Sequence, residues 1–475
     1  MYRTISFEVR ESHALFPYFE RICKNYRSMY NVTNYLIRNT MTGLKKTNGE
    51  RTPNEKEVLL KVFTGIRDAN TGRKPEKRFP FPTKEHWMLD YYRINAILKG
   101  KNDPDYQSLP AQVNQEAIKD CIEAWRGYFK SLQSYKQDPS LFKGMPRIPK
   151  YMRSDRMTAT FTNQICKIRN GRLQFPKTRE KLTVGTVSDP AWKFCEVQVK
   201  PYYGRYKVLV IMDDGMDIQE LDKRPERILG IDPGISNFAA IANNIGVTPV
   251  VIKGGFMKAR NQYFNKRIAA LRSVVMTPGT PNEAIKDAES QIQRLCRSRD
   301  RFFHDVFYKI SHRICRYAAQ NRIDTIVAGK NDGWKQESGL GKQNNQNFVQ
   351  IPHAKFLMIL REVCKRYGIR YLEQEESYTS KASLVDMDQI PAYGKTETVP
   401  VFQGKRIKRG LYRSKDRMIL NADINGSGNI IRKAVPDAFS GITDFHYLYS
   451  TEIWNFRTFY QDKKVASVTG GSCRS

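Results

Sequence analysis

The chain has 475 residues, too many for one simple core, and sets 80 Lys plus Arg against 48 Asp plus Glu, a formal charge of +32 with a pI near 9.8. An excess of that size, spread along the whole chain, implies a partner carrying many phosphates and argues against charge kept for solubility alone. No run approaches the roughly 20 apolar residues that span a bilayer, and the opening Met-Tyr-Arg-Thr-Ile-Ser-Phe has no signal-peptide pattern, so a membrane partner is excluded and a cytoplasmic location expected.

Taken in order, Tyr2, Thr4 and Ser6 alternate with Ile5, Phe7 and Val9, which predicts a lone strand within residues 1–14 that must pair with something later. Residues 15–138 read as helix. Phe16, Phe19, Ile22, Cys23, Tyr26 and Tyr30 keep helical spacing, as do Val113, Ala117, Cys121, Trp125 and Tyr128 after Pro110. These stripes predict packing between helices, with faces rich in Lys, Arg, Asn and Gln left for phosphates. The 25 Tyr and 24 Phe of the chain suit base stacking as well as core packing.

The paired prolines of Gly144-Met-Pro-Arg-Ile-Pro-Lys mark a boundary. Beyond it, short strands near Ala159, Cys166, Arg172, Leu182, Phe194 and Tyr206 are separated by turn residues, and they predict a small β-barrel followed by a charged linker, together spanning 139–226. The first strand is expected to belong to that barrel, which makes the helical segment an insertion. The eight cysteines, at 23, 121, 166, 195, 296, 315, 364 and 473, form no Cys-x-x-Cys pair. Free thiols in a reducing compartment and no zinc ribbon are expected.

From 227 to 475 the pattern is mixed. Strands at 227–232, 237–242 and 248–252 precede a long helical stretch whose stripe includes Phe302, Phe303, Val306, Phe307, Ile310 and Ile314. A strand from Asp324, a helix from Ala354 and a strand from Ile369 follow. Three strands, helix, strand, helix, strand is the order of a ribonuclease-H-like domain, giving an α/β multidomain chain. Trp334, after the fourth strand, is expected in the core, and His304 and His312 are read as packing or phosphate contacts.

One acid, Asp232, ends the apolar strand Ile228-Leu-Gly-Ile. It has two readings: a turn residue before Pro233-Gly234, or a metal ligand, since a carboxylate on a buried strand needs a cation. Asp423 follows a second apolar run where small residues precede a helix start, and Glu375 and Glu376 end another short strand. Three carboxylates on three separated elements are what a two-metal phosphodiester hydrolase requires. Alternation along a strand lets only one of Glu375 and Glu376 face such a site.

The motifs Leu109-Pro-Ala-Gln-Val-Asn-Gln-Glu-Ala, Gly144-Met-Pro-Arg-Ile-Pro-Lys, Gly230-Ile-Asp-Pro-Gly-Ile-Ser-Asn-Phe-Ala, Asn345-Gln-Asn-Phe-Val-Gln-Ile-Pro and Asp423-Ile-Asn-Gly-Ser-Gly-Asn-Ile together resemble the TnpB family of transposon-encoded, RNA-guided nucleases. Compact type V CRISPR effectors are similar. The resemblance covers nearly the whole chain. It implies a helical recognition domain, a wedge-like barrel, and a RuvC-type nuclease domain that cuts DNA paired with a guide RNA. It implies two Mg²⁺ ions, with Mn²⁺ an acceptable substitute, at Asp232, Glu376 and Asp423. Its implied partners are a guide RNA and target double-stranded DNA with a short flanking motif, in a prokaryotic, nucleoid-associated setting.

Two departures stand out. The family's fourth strand usually ends in Glu, whereas Ile326-Val-Ala-Gly-Lys places Gly329 there; the resemblance implies that Glu376, before Tyr-Thr-Ser-Lys, serves instead, with Glu375 as alternate. A four-Cys zinc finger usual before the last acid is missing, since 382–422 contain no Cys, so 380–418 are expected to form a metal-free basic loop. Tyr378, Lys381, Lys405 and Arg406 are read as nucleic-acid contacts, and Gln112, Gln115, Thr162 and Asn163 lie where the family reads the flanking motif. Gly329 also keeps a rival open, a nuclease-inactive repressor that only occupies DNA. A junction resolvase or transposase on the same fold, working without RNA, is the third reading.

Overall fold

A computed structural model describes residues 1–139, 142, 144–185, 191–216, 224–330, 351–391 and 400–455. Trp334, residues 345–350 of the Asn345 motif and Cys473 lie outside them. The chain divides into two compact units, Met1–Asp217 and Ile218–Ser475.

The first unit contains β1 (Tyr2–Val9), α1 (Phe16–Leu44), α2 (Pro53–Asn70), α3 (Tyr91–Gly100), the single-turn α4 (Pro104–Gln107) and α5 (Ala111–Gln137). Six strands follow: β2 (Ala159–Thr162), β3 (Lys167–Arg169), β4 (Arg172–Gln174), β5 (Lys181–Thr183), β6 (Lys193–Tyr202) and β7 (Arg205–Asp213). Helix α2 starts in a capping box: Glu55 N–H donates to Thr52 Oγ1 at 3.3 Å, and Thr52 N–H donates to Glu55 Oε2 at 2.8 Å. The apolar stripes of α1 and α5 bury Phe19, Ile22, Tyr26, Val113, Ala117 and Trp125 in one core with the strands. Two polar side chains are carried into it with partners, for Trp125 Nε1 donates to Asn34 Oδ1 at 3.0 Å and Asn34 Nδ2 to Pro149 O at 3.2 Å.

The first strand does find a later partner: β1 runs antiparallel to β7, from Tyr2 opposite Asp213 to Val9 opposite Tyr206. The ladders differ from the single barrel read in the sequence. They form two antiparallel sheets, β1-β7-β6-β2 and β3-β4-β5. The strands of the second sheet are only three residues long, and Gly171 at φ +67 turns β3 straight back into β4, so that sheet pairs only with itself.

The second unit begins with β8 (Ile228–Pro233), β9 (Asn237–Asn243), β10 (Val250–Lys253), α6 (Gly255–Met276) and α7 (Asn282–Gln320). It continues through β11 (Thr325–Lys330), α8 (His353–Arg366), β12 (Arg370–Glu375), β13 (Lys405–Lys408), β14 (Leu411–Arg413), β15 (Ile419–Asn421), α9 (Ala422–Ala434) and β16 (Glu452–Trp454). Its six-stranded sheet has the order β12-β11-β8-β9-β10-β16. Strands β8, β9 and β10 form an antiparallel meander, while β11 lies parallel to β8 and β12 parallel to β11.

Both faces of the sheet are covered, which is why its strands read as unbroken apolar runs. Leu229, Ile231, Ile326 and Ala328 join Phe303, Phe307, Ile310 and Phe356 of α7 and α8 on one face. Ile228, Ala240, Ala242 and Val327 meet Ile424, Ile430 and Ile431 of α9 on the other. On this second face the backbones nearly touch: a Cβ at Gly230 would lie 2.4 Å from the carbonyl oxygen of Ser427. Gly230→Ala is expected to destabilise the unit by about 1–3 kcal/mol, the scale of overpacking a tight core. Thermal melts of the purified variant check this, and an unchanged melting temperature refutes the tight approach.

Candidate functional site

Side chains alternate across a strand, so if Leu229 and Ile231 face α7 and α8, then Ile228, Gly230 and Asp232 face α9. The same parity on β11 puts Val327 and Gly329 on that face. Because Ala328 pairs with Ile231, Gly329 lies one step along from that pair, beside Asp232. The turn after Asp232 is pinned: Gly234 N–H donates to Phe238 O at 2.9 Å, and the His353 ring nitrogen contacts Gly234 O at 2.9 Å while the ring stacks on Phe238.

Helix α9 starts at Ala422, earlier than expected, so the Asn-Gly-Ser-Gly-Asn run lies inside the helix instead of preceding it. Its cap explains the start, since Asn421 Oδ1 accepts from the backbone N–H of Asp423 at 2.9 Å and of Ile424 at 3.3 Å. The small residues then serve packing. A Cβ at Gly426 would stand 2.8 Å from Asp232 Oδ2, so glycine there gives the carboxylate its room. Ser427 Oγ donates to Gly230 O at 2.8 Å and accepts from Ala242 N–H at 2.9 Å. Asn425 and Asn429 both donate to Ala382 O at 2.7 Å, and Asn429 also to Thr379 O at 3.0 Å. One face of α9 therefore presents Asp423 and approaches Asp232, while its amides hold the segment just after Glu376.

Glu376 follows directly on β12, and its own carbonyl accepts from Thr379 N–H and Thr379 Oγ1. Its side chain turns inward to Gly329: a Cβ on that glycine would lie 2.2 Å from Glu376 Oε1. The carboxylate thus fills the space that a longer residue at 329 would claim. Glu375 goes elsewhere, accepting from Lys433 Nζ at 2.5 Å and from Ser377 N–H at 2.5 Å. Glu373 is paired with Lys330 and Arg361.

Electrostatics separates these acids. Burial, then the nearby Asp423 carboxylate, pushes Asp232 up to about 8 against a partial counter-effect of Arg406. Burial, then Asp232, then Glu375, pushes Glu376 up to about 9. Burial alone would raise Glu375 too, but Lys433 and Ser377 outweigh it and hold it below the ordinary value. Asp423 accepts from Asn237 Nδ2 at 2.7 Å and from Arg406 Nη2 at 3.3 Å, and Lys253 Nζ in turn donates to Asn237 Oδ1 at 3.0 Å. Asp232 is the shared member, with Asp423 and Glu376 as neighbours.

Among the described residues no three His, Cys, Asp or Glu side chains form a ready cage for one ion. The donor chemistry nevertheless fits a hard divalent cation: oxygen ligands only, half-buried, with Asp232 and Glu376 raised first by burial and then by a neighbouring carboxylate.

The other predicted residues are dispersed. In the first unit Gln112 Nε2 donates to Gln164 Oε1 at 2.6 Å while Gln112 Oε1 accepts from Thr162 Oγ1 at 3.2 Å, and Asn163 Nδ2 donates to Phe194 O at 3.2 Å. Gln115 is half-buried on α5. In the second unit Lys381 Nζ lies 6.0 Å from the Tyr378 ring centroid. The expected basic loop is in part a hairpin: Lys405 pairs with Arg413 and Arg406 with Tyr412, because Gly410 at φ +83 turns β13 back on β14. That hairpin brings Arg406 to Asp423, a partner which spacing alone did not reveal. His312 packs against Tyr308 and contacts Tyr367 OH at 3.2 Å, and burial, then Arg366, lowers its pKa.

These shifts have a consequence for stability. A raised acid holds its proton in the folded state where the unfolded chain, with a carboxyl pKa of about 4, has released it. Stability therefore falls as pH climbs from about 4 towards 8 and is fully present only below that window. Asp232→Asn is expected to raise the melting temperature in a chelator-containing buffer by about 2 °C or more at pH 8, with a smaller gain at pH 5. Equal shifts at both values refute the assignment.

A family profile described as "Probable transposase" (OrfB_IS605) matches residues 205–335, which include Asp232 and Gly329. The "TnpB-like protein ORF457" of Acidianus two-tailed virus is 25% identical over 238 residues, 49% of this chain and 47% of that protein. The match thus spans about half the length of that relative. Among solved structures, a "Cas12f1-sgRNA-target DNA complex" aligns with TM-score 0.47 and 15% identity, covering 88% of this chain and 82% of the other. A "CRISPR-Cas12f Ternary Complex" aligns with TM-score 0.31 and 14% identity, covering 87% and 80%. The Gly230-Ile-Asp-Pro-Gly strand lies inside the matched region and the Asp423 motif on the facing helix, so residues 205–335, which carry the first of these acids, are similar to this transposase family.

Proposed function

We propose that this protein is an RNA-guided DNA endonuclease that hydrolyses phosphodiesters at a RuvC-type, ribonuclease-H-like site formed by Asp232, Glu376 and Asp423. One observation carries the reading: the Glu376 carboxylate lies over Gly329, beside Asp232, which supports its serving in place of an acid on β11. The strand order supports it, with the first acid at the end of the central strand and two parallel strands beside it. The +32 charge suits a guide RNA and a target DNA duplex.

Magnesium, or manganese, would supply a Lewis acid for the scissile phosphate and a hydroxide at neutral pH. Asp232, given its room by Gly426, would hold metal together with Glu376 and Asp423. Asn237 fixes the rotamer of Asp423 from one side, and Arg406 balances its charge from the other. Arg406 is half exposed and can reach a phosphate without leaving the site. Glu375 stays with Lys433 and takes no direct part. The binding-only rival drew its support from Gly329, and the position of Glu376 weakens it.

Reconstituted ribonucleoprotein with Mg²⁺ tests the proposal. Asp232→Ala, Glu376→Ala and Asp423→Ala are each expected to lower cleavage about 100-fold or more, as losing several kcal/mol of transition-state stabilisation would, while Glu375→Ala stays within a few-fold of the parent. Cleavage that survives Glu376→Ala but not Asp232→Ala sinks the role given to Glu376. Gly329→Ala should be nearly as harmful as Glu376→Ala, because its Cβ displaces that carboxylate. The double variant Gly329→Glu with Glu376→Gly should recover part of the loss, and a wild-type-like Gly329→Ala enzyme contradicts the geometry.

A further inference from the structure

The loop between α2 and α3 and the outer face of α5 line an open cavity of about 390 Å³ in the first unit, far along the chain from the three acids. Phe81, Trp87 and Phe129 line it. Phe81 is stacked on Phe63 at 5.6 Å and 9°, so one ring face is taken and the other is left for a ligand. Trp87 meets the buried Trp125 edge-on at 5.7 Å and leans on Phe129 at 5.9 Å. Phe81 is 45% and Phe129 36% exposed, a costly way to keep two large apolar rings unless something covers them.

The cavity is held open by a clip. Arg93, only 8% exposed, donates through Nη2 to Met88 O at 2.6 Å, through Nη1 to Pro80 O at 3.4 Å and through Nε to Asp90 at 3.1 Å, tying both ends of the loop to α3. The walls are therefore arranged before a ligand arrives, which spares the ordering cost. The rim is basic. Arg78 and Lys84 flank Phe81 in sequence, and Arg126 and Lys130 lie within a turn of Phe129 on α5; all four are exposed.

Aromatic faces set among exposed cations match a group that is flat, aromatic and attached to phosphates. The size is at the small end of ligand pockets, about 300–1,000 Å³, and admits one such group. We propose that this cavity receives a single unstacked base of a bound single-stranded nucleic acid, stacked against Phe81 on one side and Trp87 with Phe129 on the other. The proposal rests on the preceding reading in taking nucleic acid as the partner, and it adds a subsite outside the cleavage centre.

Full-length protein with short labelled oligonucleotides, oligo(U), oligo(dT) and their abasic counterparts, tests it by affinity at fixed salt. Phe81→Ala and Phe129→Ala are expected to weaken binding of the base-bearing strands about five-fold or more, the lower end of what one stacked base contributes, and to leave the abasic strands unchanged. Tyr at either position should restore affinity. A preference for oligo(U) assigns the base to RNA and one for oligo(dT) to DNA. Ultraviolet crosslinking of wild-type protein, which requires no variant, should yield uridine adducts on peptides covering 79–90 or 125–130. Equal affinities for the Ala variants, or adducts confined to other peptides, overturn the subsite while leaving the endonuclease intact. A wild-type chain that binds none of these strands overturns both.

Discussion

The second unit depends on how closely α9 can lie against β8. Gly230 and Gly426 are the two points where a methyl group would strike, in one case the carbonyl of Ser427 and in the other the carboxylate of Asp232. Ser427 then spends its hydroxyl on backbone groups of both neighbouring strands, Gly230 O and Ala242 N. A helix held at that separation carries Asp423 to within electrostatic reach of Asp232. It also reaches outward, because Leu384 packs where a side chain at Gly428 would be, and the Asn425 and Asn429 amides fasten the backbone at 379–382. The acids converge because a glycine-bearing helix bonds to a strand on one side and to a loop on the other.

That convergence works against stability. Two half-buried acids near a third are pushed towards neutrality, and at Asp232 Arg406 opposes this only in part. A fold selected for stability alone would place apolar residues there, as it does at Ile228 and Val327 on the same face. The surrounding scaffold of Phe303, Phe307, Phe356 and Leu360 against one face, and Ile430, Ile431 and Phe439 against the other, offsets the cost.

Elements with strong periodicity were legible in the sequence: the meander after Arg227, the strand at 325, the helix at 353 and the lone first strand all fall within a few residues of where the pattern puts them. Asp232 and Asp423 could be named because each is the single charge in an otherwise apolar run, whereas Glu376, with Glu373 and Glu375 beside it, was singled out only by the family resemblance. Three features could not be read. The start of α9 was misplaced because Gly and Ser lower helix propensity, whereas contact with β8 outweighs it. The barrel came apart into two sheets because which strands pair is a long-range property that spacing does not record. The hairpin at 405–413 was hidden by its charge, since strand β13 is exposed along its whole length and has no apolar alternation.

Glycine at 329 and glutamate at 376 are best understood as one feature. Strands β11 and β12 are parallel neighbours, about 4.8 Å apart in such a sheet, with Gly329 opposite Gln374. A carboxylate on the end of β12 can therefore be carried by a glutamate's long side chain to the point that a side chain on β11 would occupy directly. A side chain at 329 would push that carboxylate aside, because even a methyl group there would lie 2.2 Å from the Glu376 oxygen. On the proposed reading the two positions form a paired exchange, in which the lack of a side chain at Gly329 admits the Glu376 carboxylate. A search for acidic residues strand by strand reads Gly329 as a loss, whereas the parity of β8 and β11 turns it into the place where the third carboxylate arrives.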